Sequence, residues 1–200
     1  MTKTAAIIGG GVIGGGWAAR FLLNGWNVRV FDPDPQAGAR LAAVFDNARH
    51  ALPMLYDCAL PDEGTPSLHS SVADAVTGAD WVQESVSERL DLKHQVIAEV
   101  QAANPGALIG SSTSGFTPSQ LQQGAADSSR IMVTHPFNPV YLLPLVELVP
   151  SPVTDPAAVE RCKTWLTGLG MYPLHVTKEI DAHIADRLLE AVWREALWLV

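Results

Sequence analysis

A short apolar run that leads straight into three spaced glycines constrains this chain more than any other feature. Ala5–Ile8 are apolar, and Gly9, Gly11 and Gly14 follow in Gly-x-Gly-x-x-Gly spacing. Trp17, Ala18, Phe21 and Leu22 then recur at a helical period. Alone, such glycines could be a flexible linker. Between a strand and a helix each has its own steric reason. Gly9 makes the tight turn, Gly11 lets a pyrophosphate approach the backbone, and Gly14 lets helix and strand pack closely. Amides exposed at the helix start, across Gly10, Gly11, Val12 and Ile13, add partial positive charge for phosphates. A second strand, Val28–Phe31, ends at Asp32, the spacing expected for a carboxylate on a ribose 2′-hydroxyl. Pro33, Asp34 and Pro35 come next, with no adjacent arginine to accept a 2′-phosphate. NAD is therefore the expected cofactor rather than NADP.

The rest of the chain repeats this alternation. Strands are expected near Ala5–Ile8, Val28–Phe31, Ser67–Ser70, Trp81–Gln83, Ala107–Gly110, Arg130–Val133, Leu145–Val149 and Tyr172–His175. Helices fall near Ile13–Asn24, Pro35–Ala51, Leu90–Ala103, Pro118–Gln123 and Pro156–Leu169, with Asp155 as a cap before Pro156. Residues 52–66, rich in proline, read as an extended connection. The pattern predicts an α/β fold, a Rossmann-type doubly wound and mostly parallel sheet, over residues 1–180. Residues 181–200 read as the first helix of a C-terminal helical domain. Its end, Ala196–Val200, is apolar all round and carries no stop signal, so the remainder of that domain is expected to be missing.

Charge and composition narrow the function. A net charge of -8 argues against nucleic acid and anionic membrane surfaces. The first apolar run is too short for a signal peptide core or a membrane span, which makes the cytoplasm the expected compartment. Cys58 and Cys162 lack metal or redox spacing, and no metal site is expected.

Chemistry is expected at two further places. His135 enters a run with Pro136, Pro139 and Pro144, and Glu147 waits in the apolar stretch beyond it. Proline stiffens residues 136–144 into a connection, and a stiff connection holding a histidine near a buried acid can position a general base. Gly110-Ser111-Ser112-Thr113-Ser114-Gly115 closes a strand and is no serine hydrolase elbow. In a doubly wound sheet both places lie on the rim that faces the cofactor. Hydroxyl, imidazole and NAD on one rim point to oxidation of a secondary alcohol.

These residues carry a resemblance. Gln83–Lys93, Ile109–Gly115, His135–Glu147, Leu169–Val176 and Ile184–Ala191, in that order, make the chain similar to the 3-hydroxyacyl-CoA dehydrogenase superfamily, and within it to its carnitine-oxidising branch. The resemblance implies that His135 is the base, Glu147 its orienting carboxylate and Ser114 a hydrogen-bond partner of the reacting oxygen. It puts Glu88, Lys93, Ser112 and Asn138 against the cofactor. It also implies a homodimer completed by a later helical domain.

The departures from acyl-CoA enzymes bear on the substrate. Pro144 stands where they usually carry lysine, Asp186 where they carry asparagine, and Asp181-Ala182-His183 where they usually read Pro-Gly-Phe. Residues 33–80 hold Arg40 and Arg49 but no lysine, a poor surface for polyanionic CoA. A small trimethylammonium zwitterion such as carnitine fits better, with Phe116, Tyr141, Trp193 and Trp198 as candidate pocket rings and Asp186 as a candidate charge. His183 is a weaker site candidate. A sugar-acid dehydrogenase of the L-gulonate type, a 3-hydroxyacyl-CoA dehydrogenase and a non-catalytic NAD-binding structural protein stay open.

Overall fold

The computed structural model describes residues 2–200. An eight-stranded sheet runs through it in the order β3-β2-β1-β4-β5-β6-β7-β8. The strands are β1 (Thr4–Ile8), β2 (Asn27–Phe31), β3 (Pro66–Leu68), β4 (Trp81–Glu84), β5 (Leu108–Ser111), β6 (Ile131–Pro136), β7 (Leu145–Val149) and β8 (Tyr172–His175). All pairings are parallel except β6 with β7. The chain reverses its winding between β1 and β4, which opens a crevice at the carboxyl ends of those strands.

Strand alternation feeds two cores. Along β1, Ala5 and Ile7 face one layer, while Ala6 and Ile8 face the other. The first layer lies under α1 (Val12–Leu23), α2 (Ala37–Ala51) and α6 (Pro156–Gly168). It is stitched by aromatic pairs, with Phe21 5.1 Å from Trp26 and 5.6 Å from Trp81 between ring centroids. The second lies under α3 (Val72–Val76), α4 (Leu90–Ala103) and the short α5 (Pro118–Leu121). A final helix, α7 (Ala185–Trp198), buries none of its residues. Leu188, Leu189, Val192, Trp193 and Leu197 are exposed along it. No helix among the described residues is long and apolar enough to cross a membrane.

Most expected elements are present, with instructive shifts. Residues 52–66 begin with a 3₁₀ turn at Leu52–Leu55, because Leu52 is pulled fully into the first core. Helix α3 falls where no helix was expected; Ser71 caps it by accepting from the Asp74 amide. Arg130 belongs to a 3₁₀ turn rather than to β6, and β6 runs on through His135 and Pro136. Pro136 sits at the strand's last position, so the stiff connection is shorter than expected.

A buried arginine fastens this connection. Val140 packs on Gly16, where a Cβ would come within 2.9 Å of it. Arg20, also in α1, donates to the carbonyls of Leu169 (2.8 Å), Tyr141 (3.0 Å) and Gly170 (2.5 Å). Arg20→Leu should therefore leave three carbonyls without their donor and cost about 2–4 kcal/mol, measured by urea unfolding. An unchanged midpoint would mean that the guanidinium contributes nothing.

Candidate active site

The glycine turn is shaped by what it must avoid. Gly9 has φ 95°, and a Cβ there would lie 2.6 Å from the Ser85 carbonyl oxygen; on Gly14 it would lie 1.8 Å from that of Gly9. At Gly11 a Cβ would meet nothing within 4 Å, so this glycine faces open space. That space is a cavity of about 490 Å³ bordered by Gly9, Gly11, Asp32, Ser85 and Val86. A second cavity of about 200 Å³ shares Ser85 and Val86 and continues along Ile13, Glu88, Lys93, Ser112 and Ser114. An open cradle at a helix start, with a carboxylate at one end and hydroxyls at the other, fits a dinucleotide. Val12 is exposed at the start of α1.

Asp32 does double duty, since its Oδ2 accepts from the Gly10 amide at 2.7 Å and so also holds the turn. Space brings an arginine that sequence adjacency did not. Arg40 Nη2 lies 3.9 Å from Asp32, but its Nη1 is committed to Asp34 at 2.6 Å. Its charge is answered by two carboxylates, which leaves it poorly placed to receive a 2′-phosphate.

Lys93 lines the second cavity and is also tied to two carboxylates. It is buried, and its ammonium lies 2.9 and 3.0 Å from the two oxygens of Glu84 and 3.3 Å from Glu88. It borders the second cavity, but its charge is spent on holding residues 84–88. Glu88 in turn accepts from the Thr113 hydroxyl and from the Gly115 amide at 2.9 Å. Burial pushes the Glu88 carboxyl up, yet these donors and Lys93 outweigh it and hold it below the ordinary range. Ser112 accepts from Gln83 Nε2 at 2.8 Å, and Ser114 is exposed beside it at the cavity.

His135 and Glu147 meet through strand register. They are direct partners across the antiparallel β6–β7 ladder, so both side chains rise on one face. His135 Nδ1 lies 2.8 Å from Glu147 Oε2. Glu147 Oε1 accepts the amides of Ile184 and Ala185, each at 2.9 Å, where α7 begins. Burial raises the Glu147 carboxyl, but His135 and the two amides prevail and its pKa is lowered. His135 Nε2 has no hydrogen bond among the described residues and lies 4.0 Å from Asp186 Oδ2. The arrangement suits proton abstraction: a fixed tautomer, a buried anion behind it and an uncommitted nitrogen in front.

The expected aromatic pocket does not assemble from the residues named for it. Tyr141 packs on the first core layer, Phe116 on the second, and Trp193 and Trp198 are exposed on α7. Phe137, which the sequence did not single out, has its ring centroid 5.3 Å from that of His135. Its place two residues after His135, between Pro136 and Pro139, was the available signal. Asn138 is exposed in the same connection. His183 is buried with its ring 5.4 Å from that of His135, closer than the sequence implied.

Residues 4–180 match the family described as 3-hydroxyacyl-CoA dehydrogenase, NAD binding domain. The chain belongs to this family. NAD is accordingly the cofactor that the two cavities fit. The chain is 67% identical over 198 residues to an L-carnitine dehydrogenase/betainyl-CoA thioesterase of Ruegeria pomeroyi, covering 98% of this chain and 41% of that protein. It is 52% identical over 202 residues to an L-carnitine dehydrogenase of Mesorhizobium japonicum, covering all of this chain and 56% of that one. It is also similar to the crystal structure of an NAD⁺-dependent 5-formyl-3-hydroxy-2-methylpyridine 4-carboxylic acid 5-dehydrogenase. There the TM-score is 0.91 at 30% identity, over all of this chain and 65% of that one. The chain thus spans roughly two fifths to just over half the length of these carnitine dehydrogenases.

The dyad gives a pH signature. A lowered carboxyl pKa in the folded state stabilises above the ordinary glutamate value of 4.5 and loses that contribution as pH falls through the folded value. Urea unfolding of wild type and Glu147→Gln as the pH is lowered from neutral through that window should show wild type losing more stability. Parallel curves would contradict the assignment.

Proposed function

We propose that this chain is the dehydrogenase part of an enzyme that oxidises the C3 hydroxyl of L-carnitine to 3-dehydrocarnitine. The observation that carries the reading is the in-register pair His135–Glu147 on the rim beside the cofactor cavities. Bound NAD supplies the hydride acceptor. The protein's own residues manage the proton. Neutral His135 takes it from the hydroxyl at Nε2, while Glu147 keeps hydrogen on Nδ1 and stabilises the imidazolium that forms. The exposed Ser114 hydroxyl hydrogen-bonds the reacting oxygen, and Gln83 and Ser85 hold neighbouring Ser112.

Charge supports a small trimethylammonium zwitterion over a CoA ester. Arg40 is paired with Asp34, Arg49 with Asp46 and Glu63, and Lys93 with Glu84 and Glu88. Asp186 brings a carboxylate near the base, and Phe137 brings an aromatic face that suits a quaternary ammonium. The names of the two carnitine dehydrogenases above support the same substrate. The exposed apolar residues of α7 and the greater length of those relatives support a boundary near residue 180, a following helical domain and a homodimer of the full-length protein.

NADH formation from carnitine, gulonate and a 3-hydroxyacyl-CoA, measured side by side on the intact enzyme, should favour carnitine. Preference for either competitor would overturn the substrate. His135→Asn should lower kcat by about 10²–10⁴-fold. Carnitine oxidation retained at the wild-type rate in that variant would remove His135 as base. Asp186→Asn should weaken carnitine turnover; unchanged kinetics would dismiss that contact.

A further inference from the structure

His183 is a fully buried polar side chain that the mechanism above does not use. It and Ala182 both hold left-handed backbone, with φ of 52° and 59°. That conformation is uncommon for residues with a Cβ and persists where the surroundings over-determine it. His183 Nε2 lies 3.1 Å from the Thr113 carbonyl oxygen. A carbonyl only accepts, so Nε2 carries the hydrogen and Nδ1 is a bare lone pair. Nδ1 has no partner among the described residues. A phenyl ring would fill this space without burying an unpaired nitrogen, so shape alone does not account for histidine here. What the imidazole adds is its one bond, to Thr113.

That bond falls at a telling place. The Ala182 amide reaches the Gly115 carbonyl at 3.5 Å, so two successive residues hold the two carbonyls that flank Ser114. The next two amides, of Ile184 and Ala185, bind Glu147. The His183 ring itself packs 5.4 Å from that of His135. Four consecutive residues thus span from the serine loop to the base and its carboxylate. Burial holds the His183 pKa down, as does His135, while Thr113, Glu147 and Asp186 pull it up less strongly. The ring therefore stays neutral when His135 takes up charge.

We propose that His183 is a positioning residue, which pins the Thr113 carbonyl and so sets the Ser114 hydroxyl at its working distance from His135. The inference rests on His135 and Ser114 acting as described under the proposed function. The test is a double-mutant cycle in the intact enzyme, with kcat and KM for carnitine and the dissociation constant for NAD. His183→Phe keeps the ring and drops the donor; kcat should fall roughly ten- to a hundredfold while NAD binding is unchanged. Added to Ser114→Ala, it should cost little more, because its effect passes through that hydroxyl. His183→Gln places an amide donor near the position of Nε2 and should recover most of the rate. Losses that multiply in the double variant, or a Gln variant as slow as the Phe variant, would overturn the proposal. Should the Phe variant fail to fold, ¹⁵N spectra of histidine-labelled wild type should show His183 as the Nε2–H tautomer through neutral pH. An Nδ1–H tautomer would overturn the proposal independently. Full activity in His135→Asn would instead remove the underlying assignment of the base.

Discussion

Glu147 is a buried anion on β7, and the geometry around the site depends on how it is satisfied. A buried carboxylate without donors would take up a proton or disrupt its surroundings. Here three donors reach it, from His135 on the neighbouring strand and from the first turn of α7. Those bonds join β6, β7 and the last helix at one point. They also orient the imidazole, so the same desolvated charge that has to be accommodated fixes the ring and leaves its Nε2 uncommitted.

The cofactor side solves a parallel problem with different parts. Glu84 is buried at the end of β4, and Lys93 from α4, the Ser111 hydroxyl and the Val86 amide answer it. Lys93 also holds Glu88, and Glu88 holds Thr113 and Gly115. Each rim loop is thereby tied to the next by a charge-assisted bond rather than by apolar packing. Polar ties of this kind suit a cavity wall, because they fix loops without filling the space between them.

Much of this was legible from residue order. The glycine spacing, Asp32, all eight strands, and His135 with Glu147 could be read because each depends on local periodicity or steric need. What escaped reading depends on three-dimensional register. The antiparallel turn of β6 into β7, more than proline stiffness, sets His135 opposite Glu147. Arg40 reaches Asp32 only because α2 folds back over β2. Tyr141 and Phe116 read more readily as core than as pocket residues, and the two sheet faces claimed one each. The resemblance puts Lys93 against the cofactor, and its ties to Glu84 and Glu88 are a matter of three-dimensional packing that residue order does not show. His183 was underrated because nothing local signals a buried ring tied to residue 113.

Holding His135 and Glu147 in a strand ladder has a further consequence. A one-residue slip between β6 and β7 would turn the two side chains to opposite faces, so the pairing is closely guarded by the packing of both strands. The connection between them, residues 137–144, carries no such obligation beyond its anchors at Val140 and Arg20. The strand pair and the connection are thus separately constrained pieces of chain. Such a scaffold can rewrite residues 137–144 while the strand pair that holds the imidazole against its carboxylate stays in register.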